Sequence, residues 1–547
     1  MMSVAYRRQR LATIVWLLLP GIAAAQQVPP PLPPSLNPDR INAEERRRLE
    51  QLTAPKPAAR ARLVEPPAAA SATPAAASAV HFVLTAVKFD ASAYLTASDL
   101  DALVKPLIGT SVSVGNLQAL VERINALYTA RGLVTARAAL PVQDIKDGVV
   151  TVRLIEGRVG HVGTAGGSAR SRRHTSDRIG IAPGDLADPH GLELELRRFN
   201  LQNDVQLRAR LGSGNDFGTT DIALDLVEPH RLGIDLFLDN NGFASTGTVQ
   251  GGGVLRAYRL LTPADRLSAG ITASRGVLSE SLGYSVPWGP MLRFGISGSH
   301  GTTALTTAAP ASLDIRGTST SGSADIAALL FVTARLAVTA GASVSVTRSN
   351  TDIAGRQVID NAELAGGGSL SVNYAAPGIA LGAATDASMA RVREHVSATA
   401  RVPLLWRGSL VAAKAIGTSA TQLRLRADWQ FSPSADLPGL LQYQIGGARS
   451  SRAFGPGIAA GDRGVSVSGE LAHGFAVGDT VFEPYLFVDH AQASSPVGLV
   501  SLQSTGAGMS LQLGPLLAFR AHYAQGIGHR GLPGTASRAF GSVALHF

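Results

Sequence analysis

The feature that most constrains this chain is an alternation of apolar and polar side chains that recurs, between glycines, from residue 231 to the C-terminal Phe547. It is clearest in four stretches, residues 232–239, 292–297, 336–346 and 423–430. Successive side chains of a strand point to opposite faces, so the pattern predicts strands with one apolar and one polar face. A soluble β-sandwich is the alternative, but it would need tightly spaced turns and far less sustained amphipathy. We therefore predict a membrane all-β fold, a transmembrane barrel of about sixteen strands over residues 230–547.

The overall composition is that of a barrel rather than of a helical membrane protein. Charged residues are 16% and aromatic residues 5% of the 547 residues, which include 59 glycines. The mean hydropathy of +0.15 is modest because a barrel strand presents only every second side chain to lipid. Beyond the extreme N-terminus, no apolar run approaches the roughly 18 residues that a spanning helix needs.

Several classes of chemistry are not expected in this sequence. The absence of cysteine excludes disulfides, thiolate metal sites and cysteine nucleophiles. We find no Gly-x-Ser-x-Gly elbow, no phosphate loop and no His-Glu-x-x-His spacing, so we predict no enzyme activity, no cofactor and no metal. The net charge of +9 could suggest nucleic acid. However, the arginines are dispersed and no basic block is interleaved with aromatic residues, so no nucleic-acid partner is expected.

The first 25 residues have the pattern of a secretory signal peptide. Arg7, Arg8 and Arg10 precede an apolar stretch at residues 11–22, which is followed by three alanines at residues 23–25. A positive start, a short apolar core and a small-residue exit are the three parts of such a signal. We therefore expect the mature protein to be exported.

Residues 26–53 combine a proline-rich start with a candidate helix at residues 37–52. Asn37 can cap this helix and Pro38 can occupy its first turn. The segment has almost no apolar face, so we do not expect it to dock in a core. It could be a solvated helix in a disordered tail, or a polar plug inside a water-filled lumen. Residues 54–80 are rich in Ala and Pro and predict a semi-extended tether.

Two small modules are predicted before the barrel, at residues 81–158 and 159–229. In the first, the patterns predict a strand at 82–89, helices at 99–107 (capped by Ser98) and 117–128 (ended by Gly132), and strands at 136–140 and 149–156 around an Asp147-Gly148 turn. In the second, Gly184-Asp185 opens a helix at 189–201, strands follow at 205–211 and 220–227, and residues 166–173 are an unusual Gly/Ser/Arg insertion.

The first module resembles the first POTRA domain of two-partner secretion transporters, the TpsB family. The resemblance rests on four linked pieces in the same order, residues 128–137, 140–145, 147–149 and 155–159. Within them the motif residues are Arg131, Gly132, Gln143, Asp144, Gly148, Glu156 and Gly157. The second module resembles the second POTRA domain of that family. A POTRA sheet has an exposed edge, which can accept an extended client chain by β-augmentation.

A candidate pore loop also resembles this family. Residues 446–454 and 461–464 are similar to the long inward-folded loop, whose signature is Val-Arg-Gly followed by Tyr or Phe and then Gly-Asp-Arg-Gly. The matching residues are Arg452, Phe454, Gly461, Asp462 and Gly464. Ser451 and Ala453 replace the expected Val and Gly, and alanine does not readily adopt positive φ.

Residues 485–491 resemble the family's barrel-wall motif, Phe-x-Asp-x-Gly. Phe487 and Asp489 match, and Ala491 replaces the glycine. The resemblance implies that Arg452 meets Asp489. A guanidinium inside a lumen needs a carboxylate partner, and a bidentate pair would tether the loop within the pore. The alternative is that the two residues are independent lumen charges.

The resemblance implies a Gram-negative outer-membrane pore with its N-terminal modules in the periplasm. It would recognise a large unfolded partner, adhesin-like or haemolysin-like, by an N-terminal secretion domain and export it to the cell surface. It also implies that the barrel-assembly machinery reads the last strand, on which Val543, Leu545 and Phe547 share the face toward outer-membrane lipid. The alternatives are an insertase of the same superfamily and a passive porin. Two modules and a polar helix favour the exporter.

Overall fold

The computed structural model describes residues 33–54, 63–64, 81–306, 314–417, 420–532 and 536–547. The predicted signal peptide and most of the predicted tether lie outside these residues. The described α-helices are α1 (Pro38–Thr53), α2 (Ala97–Val104), α3 (Val114–Ala130), α4 (Ala169–Ser176) and α5 (Pro189–Gln202). Within this part of the chain, no helix is both long enough and apolar enough to cross a membrane.

Nine strands precede the barrel in the described residues. They are β1 (Leu63–Val64), β2 (His81–Val83), β3 (Ala86–Phe89), β4 (Ser111–Ser113), β5 (Ala136–Ala139), β6 (Val149–Glu156), β7 (Arg158–Gly166), β8 (Gln206–Ser213) and β9 (Thr219–Val227). In the first module β2 pairs with β4, and a separate sheet has the order β3-β6-β5. In the second module one sheet has the order β1-β8-β9-β7, so two residues of the tether lie against the edge of β8 in parallel register.

The rest of the chain is a closed antiparallel barrel. Its strands are β10 (Leu232–Asp239), β11 (Gln250–Tyr258), β12 (Arg266–Ser274), β13 (Val277–Trp288), β14 (Leu292–Ala304), β15 (Ile315–Val332), β16 (Leu336–Ile353), β17 (Arg356–Ala376), β18 (Ile379–Glu394), β19 (Thr399–Arg401), β20 (Leu404–Ala415), β21 (Thr421–Phe431), β24 (Arg463–His473), β25 (Phe475–Val477), β26 (Thr480–Ser495), β27 (Gly498–Leu513), β28 (Leu517–Arg530) and β29 (Ser537–His546). Between β21 and β24 lies a small separate hairpin, β22 (Tyr443–Ile445) and β23 (Ala459–Gly461). Both β19 and β20 pair with β18, and both β24 and β25 pair with β26. The predicted barrel of about sixteen strands is therefore confirmed as sixteen.

The faces of the barrel follow the sequence alternation. On β10 the four leucine and isoleucine side chains point outward and are exposed, whereas Asp239 is buried on the lumen side. The barrel closes between β10 and β29, where Leu236 lies opposite Leu545 and Leu238 opposite Val543. Directly opposed residues share a face, so these positions have the predicted outward parity.

The C-terminal residue completes this seam. The Phe547 amide donates to the Ile234 carbonyl at 2.8 Å, and the Ile234 amide donates back to Phe547 at 3.1 Å. The Phe547 side chain is 64% exposed on the outer surface. Its backbone therefore closes the barrel, while its ring contributes little to the packing of the folded protein.

Two predictions for the first module are wrong in detail. The strand expected at residues 82–89 is divided into β2 and β3, because Leu84 and Thr85 donate to Thr110 and Gly148 carbonyls instead of continuing one ladder. Helix α2 is capped by Thr96 rather than Ser98. Thr96 and Asp99 bond each other's backbone amides reciprocally, and this capping box fixes the start two residues earlier.

In the second module the predicted helix at 189–201 is present as α5, but its cap is Asp188, whose carboxylate accepts from the His190 amide at 3.0 Å, and not Gly184-Asp185. Residues 166–173 end β7 and begin α4 behind the cap Ser168, a helix that was not predicted. A short polar helix without an apolar stripe has no periodicity that a sequence pattern can detect.

The second module is fixed to one end of the barrel by polar contacts. Asp204, just after α5, lies 3.1 Å from Arg266 and 3.3 Å from Arg293, at the starts of β12 and β14. Arg197 on α5 donates to the Thr333 carbonyl in the β15–β16 turn at 2.6 Å. These contacts place α5 directly beneath the mouth of the lumen.

Candidate functional site: the barrel lumen

Helix α1 lies inside the barrel. Its outer end is held where Ser245 donates to the Ser35 carbonyl at 2.6 Å, and its inner end where Arg256 donates to the Leu52 carbonyl at 2.5 Å. Because Arg256 is on β11, next to the end that carries the POTRA modules, α1 runs along the lumen toward those modules. Asn37 caps the helix as predicted, accepting from the Asp39 amide at 3.0 Å.

Polar contacts join α1 to the barrel wall along its length, and Asp39 has two wall partners, Thr351 and Asn361. Arg48 lies 2.5 Å from Asp239 on β10, and the Asn42 side-chain oxygen accepts from Thr303 on β14 at 2.7 Å. The expectation that the helix has too little apolar surface to pack is wrong, since Ile41 and Leu49 are fully buried. These two apolar residues, eight positions apart, are enough for α1 to pack because the barrel wall supplies the rest of the contact surface.

Part of the interface between α1 and the wall has no hydrogen-bond partner in the protein. Buried side-chain atoms without one in the described residues include, on α1, Arg40 Nε, Asn42 Nδ2 and Glu45 Oε2, and on the facing strands, Thr272 Oγ1, Ser279 Oγ and Ser281 Oγ. Buried polar groups are normally hydrogen-bonded, and each that is not costs free energy. Other polar groups of α1 are satisfied, since Asp39 accepts from Thr351 at 3.3 Å and from Asn361 at 3.1 Å, and the Arg40 carbonyl accepts from Gln444 at 2.8 Å. The interface of α1 thus combines bonded and unbonded polar groups.

The loop between β21 and β24, residues 432–462, also enters the lumen. Its root is held by Asp462, whose carboxylate accepts from the backbone amides of Asp436 at 2.7 Å and Leu437 at 2.9 Å. Gly464 follows at the start of β24, where an added Cβ would lie 2.1 Å from the Tyr443 ring. Tyr443, on β22, also donates to the Asp428 carbonyl at 3.0 Å. The Tyr443 ring thus packs directly against the Gly464 backbone and fixes the direction in which the loop leaves the barrel wall.

Arg452 at the loop tip is bound to the wall through nearly all of its donors. Its Nε and Nη2 lie 3.1 and 2.9 Å from Asp489, and its Nη1 lies 2.6 Å from Glu470. The Arg452 Nη2 also donates to Ser468 at 2.5 Å, and its Cζ lies 3.7 Å above the centre of the Phe487 ring. Arg452 and Asp489 are 5% and 1% exposed. The structure therefore brings the two predicted residues into a buried, bidentate contact.

Strand register assembles the partners of Asp489. Ser468, Asp489 and Ser504 lie directly opposite one another on β24, β26 and β27. Ser468 and Ser504 each donate to the Asp489 carboxylate, at 2.8 and 2.9 Å, and the Arg452 amide donates at 3.1 Å. Neither the two serines nor Glu470 were among the residues predicted from the sequence. The alternation of side chains predicts that these residues face the lumen. Their pairing with Asp489, however, depends on the register between strands.

The two alanines that replace family glycines fit the observed geometry. Ala453 is 3% exposed and is not among the described non-glycine residues with positive φ. The positive φ values near the tip lie instead at Gly446 and Gly447, at 99° and 83°. Ala491 is fully buried in an apolar cluster with Phe454 and Phe487 under the loop. The concern that alanine at 453 distorts the tip therefore does not apply.

The predicted POTRA residues hold their own module together. Arg131 lies 2.8 Å from Asp99 and donates to the Tyr94 carbonyl at 2.6 Å, just before Gly132 ends α3. Bonds from the Thr96 amide, the Thr96 hydroxyl and Arg131 lower the pKa of Asp99 to about 2. The Gln143 amide exchanges two bonds with the Thr151 backbone, at 2.7 and 2.8 Å.

The remaining motif residues have different environments. Glu156 accepts from the Ala93 amide at 2.8 Å, and Gly157 accepts from the Ala187 amide at 2.8 Å across the junction of the two modules. Gly148 has a φ of 71°, and an added Cβ would lie 2.2 Å from the Val83 carbonyl. Asp144 is exposed. No group of three or more His, Asp or Glu side chains that could hold a metal occurs in the described part of the chain.

A closed sixteen-stranded barrel with apolar outer faces and two N-terminal modules defines an outer-membrane protein whose modules lie in the periplasm. Comparison with protein families identifies residues 82–157 as a POTRA domain of the ShlB type. The family model "Haemolysin secretion/activation protein ShlB/FhaC/HecB" matches residues 218–513, more than half of the chain. The protein belongs to this family of two-partner secretion transporters.

Curated relatives match over only part of their length. The outer membrane transporter CdiB of Escherichia coli is 24% identical over 214 residues, which are 38% of this chain and 36% of CdiB. The heme/hemopexin transporter protein HuxB of Haemophilus influenzae is 27% identical over 157 residues, which are 28% of this chain and 27% of HuxB.

Solved structures match over nearly the whole chain. CdiB from Escherichia coli has a TM-score of 0.68 at 18% identity, covering 92% of this chain and 96% of CdiB. CdiB from Acinetobacter baumannii has a TM-score of 0.62 at 16% identity, covering 93% and 97%. At these identities the likeness establishes the shared fold.

Proposed function

We propose that this protein is a pore that recognises a large unfolded partner protein in the periplasm and exports it to the cell surface. The observation that carries the proposal is the loop tip fixed inside the lumen by Arg452 and Asp489. A passive pore has no need of a buried, fully bonded guanidinium on a loop of some thirty residues. The relatives named above as transporters support the same class of function.

The periplasmic modules would supply recognition without catalysis. The edge of β8 accepts an extended segment, Leu63-Val64 of the same chain, in parallel register. An edge that binds two residues by backbone hydrogen bonds can bind a longer extended client in the same way, with side-chain pockets selecting among clients. The partner would enter unfolded, and its folding outside the cell would prevent its return.

The lumen would then work as a conduit with one fixed and one removable element. We propose that the loop tip stays bound to the wall while α1 acts as a plug that leaves the lumen when the client enters. The many bonds of Arg452, set against the unpartnered polar atoms of α1, support this division of roles. The outer strands would lie in outer-membrane lipid, inserted there by the barrel-assembly machinery.

The direct test is secretion by the natural pair. In a strain that lacks this protein, a large exported protein encoded beside it should remain in the periplasm, and the wild-type chain should restore it to the cell surface. Arg452→Ala and Asp489→Ala should fail to restore it while still inserting in the membrane. Surface delivery of the partner at the wild-type rate without this protein would refute the proposal.

The rival function is an insertase that folds other barrels. It predicts that the levels of unrelated outer-membrane barrels fall when this protein is absent. Two modules and a helix inside the lumen favour the exporter, since an insertase releases its client sideways into lipid and has no need of a plug. Normal levels of other barrels, together with loss of one surface protein, would separate the two functions.

A further inference from the structure

We propose that the lumen contains a binding site for an acidic segment of the exported chain, formed by arginines between the periplasmic mouth and the loop tip. The inference rests on the proposed export function and specifies the chemistry of the client. Its evidence is the shape and the charge of one cavity, hereafter the vestibule.

The vestibule is a continuous cavity of about 1270 Å³ beside the plug. It begins at α5 of the second POTRA module, where Arg197 bonds the Thr333 carbonyl of the β15–β16 turn. It passes along the lumen faces of β20 and β21 and ends at Arg449 and Arg452 on the loop. A chain handed over from the POTRA modules would meet this cavity first, without first displacing α1.

The charge of the vestibule is strongly one-sided. Its lining includes seven arginines and only two carboxylates; the arginines are Arg197, Arg335, Arg424, Arg426, Arg449, Arg452 and Arg520, and the carboxylates are Glu193 and Glu470. A second lumen cavity of about 620 Å³, on the side of α1, is lined by five arginines and four carboxylates. The excess of positive charge therefore belongs to the open route and is not a general property of the lumen.

Some of these arginines are neutralised by neighbours and others are not. Arg424 pairs with Glu483 at 2.5 Å, and Arg426 pairs with Asp428 at 2.8 Å. By contrast, neither the Arg335 guanidinium at the mouth nor the Arg449 guanidinium beside the tip has an ion pair or hydrogen bond to another described residue. Both side chains are exposed to the cavity. They are the two positions at which an incoming carboxylate would find a guanidinium with no direct ion pair, although Glu44 and Asp428 lie near enough to Arg449 to act on its charge.

The walls strengthen this preference. A cleft lined by one sign of charge, with low-dielectric protein around it, focuses the field and concentrates ions of opposite sign. Each carboxylate placed against Arg449 or Arg335 would gain a charge-assisted bond, and guanidinium forks suit carboxylates in particular. A lysine-rich segment would instead be repelled along the whole path.

The test uses the full-length protein in planar bilayers. Under a KCl gradient, the reversal potential should show preference for chloride. A ten-residue Glu-Gly repeat peptide, added on the POTRA side, should block the current at a concentration at least about fivefold below that of a Lys-Gly repeat peptide. The double variant Arg335→Gln/Arg449→Gln should lose most of this difference, whereas Arg335→Lys/Arg449→Lys should retain it.

Arg530→Gln is the matched control. Arg530 is exposed, lies outside the vestibule, and is at the end of β28 opposite to that of Arg520. It removes one positive charge and should leave peptide selectivity unchanged. Folding of each variant is checked by its heat-dependent mobility on gels. Equal block by both peptides, or equal loss of selectivity in Arg530→Gln, would overturn the site. Secretion of the neighbouring partner, measured separately, distinguishes failure of this inference from failure of the export function.

Discussion

Two polar elements share the lumen of this barrel, and they are held in opposite ways. The loop tip places one guanidinium against Asp489, Glu470 and Ser468, and Asp489 is in turn completed by Ser504 and a backbone amide. Helix α1 is sixteen residues long, yet its contacts with the wall are scattered, and several buried polar atoms on both sides have no partner in the described protein.

The difference is what the proposed function requires of a lumen with one permanent and one removable element. A buried charge that loses its partner is costly, so the loop tip resists any displacement that separates Arg452 from Asp489. In the proposed release of α1, its unpartnered polar groups would gain water as partners, which would offset part of the lost contact. Helix α1 carries enough polar side chains to be stable either inside the lumen or in solvent outside it.

The largest effect is expected for Asp489→Ala. It leaves the Arg452 guanidinium buried at 5% exposure with Glu470 as its one remaining carboxylate. Breaking a buried pair in this way costs about 3–5 kcal/mol. We expect the free energy of unfolding, measured in denaturant with the protein in detergent, to fall by that order, and secretion of the partner to stop.

The control for this variant is an exposed pair on the same barrel. Arg316 and Asp314 lie 2.9 Å apart, with side chains 69% and 56% exposed. Exposed pairs contribute about 0–1 kcal/mol, so Arg316→Ala should change stability little. An Asp489→Ala barrel as stable as Arg316→Ala would show that the loop tip is no more firmly bound than a surface pair.

A smaller loss is expected at the root of the loop. Gly464→Ala would place a methyl group 2.1 Å from the Tyr443 ring, which must then leave its position over the strand. Overpacking of this kind costs about 1–3 kcal/mol. Gly469 is on the same strand and has no atom within 4 Å of an added Cβ, so Gly469→Ala is the matched control. Equal thermal stability of the two variants would refute the importance of this contact for the loop.

The elements predicted most reliably were those whose sequence shows a local periodicity of apolar and polar residues. Alternation alone predicted the barrel and the outward parity of Leu545, and family motifs pointed to Arg452 and Asp489, which the structure places in contact. Features that depend on contacts between distant segments were missed. Ser468 and Ser504 join Asp489 only through register, and Leu49 is buried only because the wall approaches it. Thr96 rather than Ser98 caps α2 because Asp99 completes the capping box.

The plug should contribute less to stability than the loop tip, but more to conductance. A variant that lacks residues 26–53 should show a higher single-channel conductance than the wild type in planar bilayers, because it vacates the route that α1 fills. Its free energy of unfolding should fall by less than that of Asp489→Ala. Conductance equal to that of the wild type would refute the plug. A loss of unfolding free energy larger than that of Asp489→Ala would show that α1 is held more firmly than the loop tip.

Phe547→Ala touches neither lumen element and should have the smallest effect on the folded barrel. Its ring is 64% exposed, and its backbone bonds to Ile234 survive the substitution. Since surface changes away from such bonds usually cost less than about 1 kcal/mol, unfolding and conductance should match the wild type. The amount of inserted barrel, measured in membranes, should nevertheless fall if the assembly machinery reads the last residue. Normal insertion would refute that role, with Val497→Ala in an exposed turn as the control for loss of an apolar side chain.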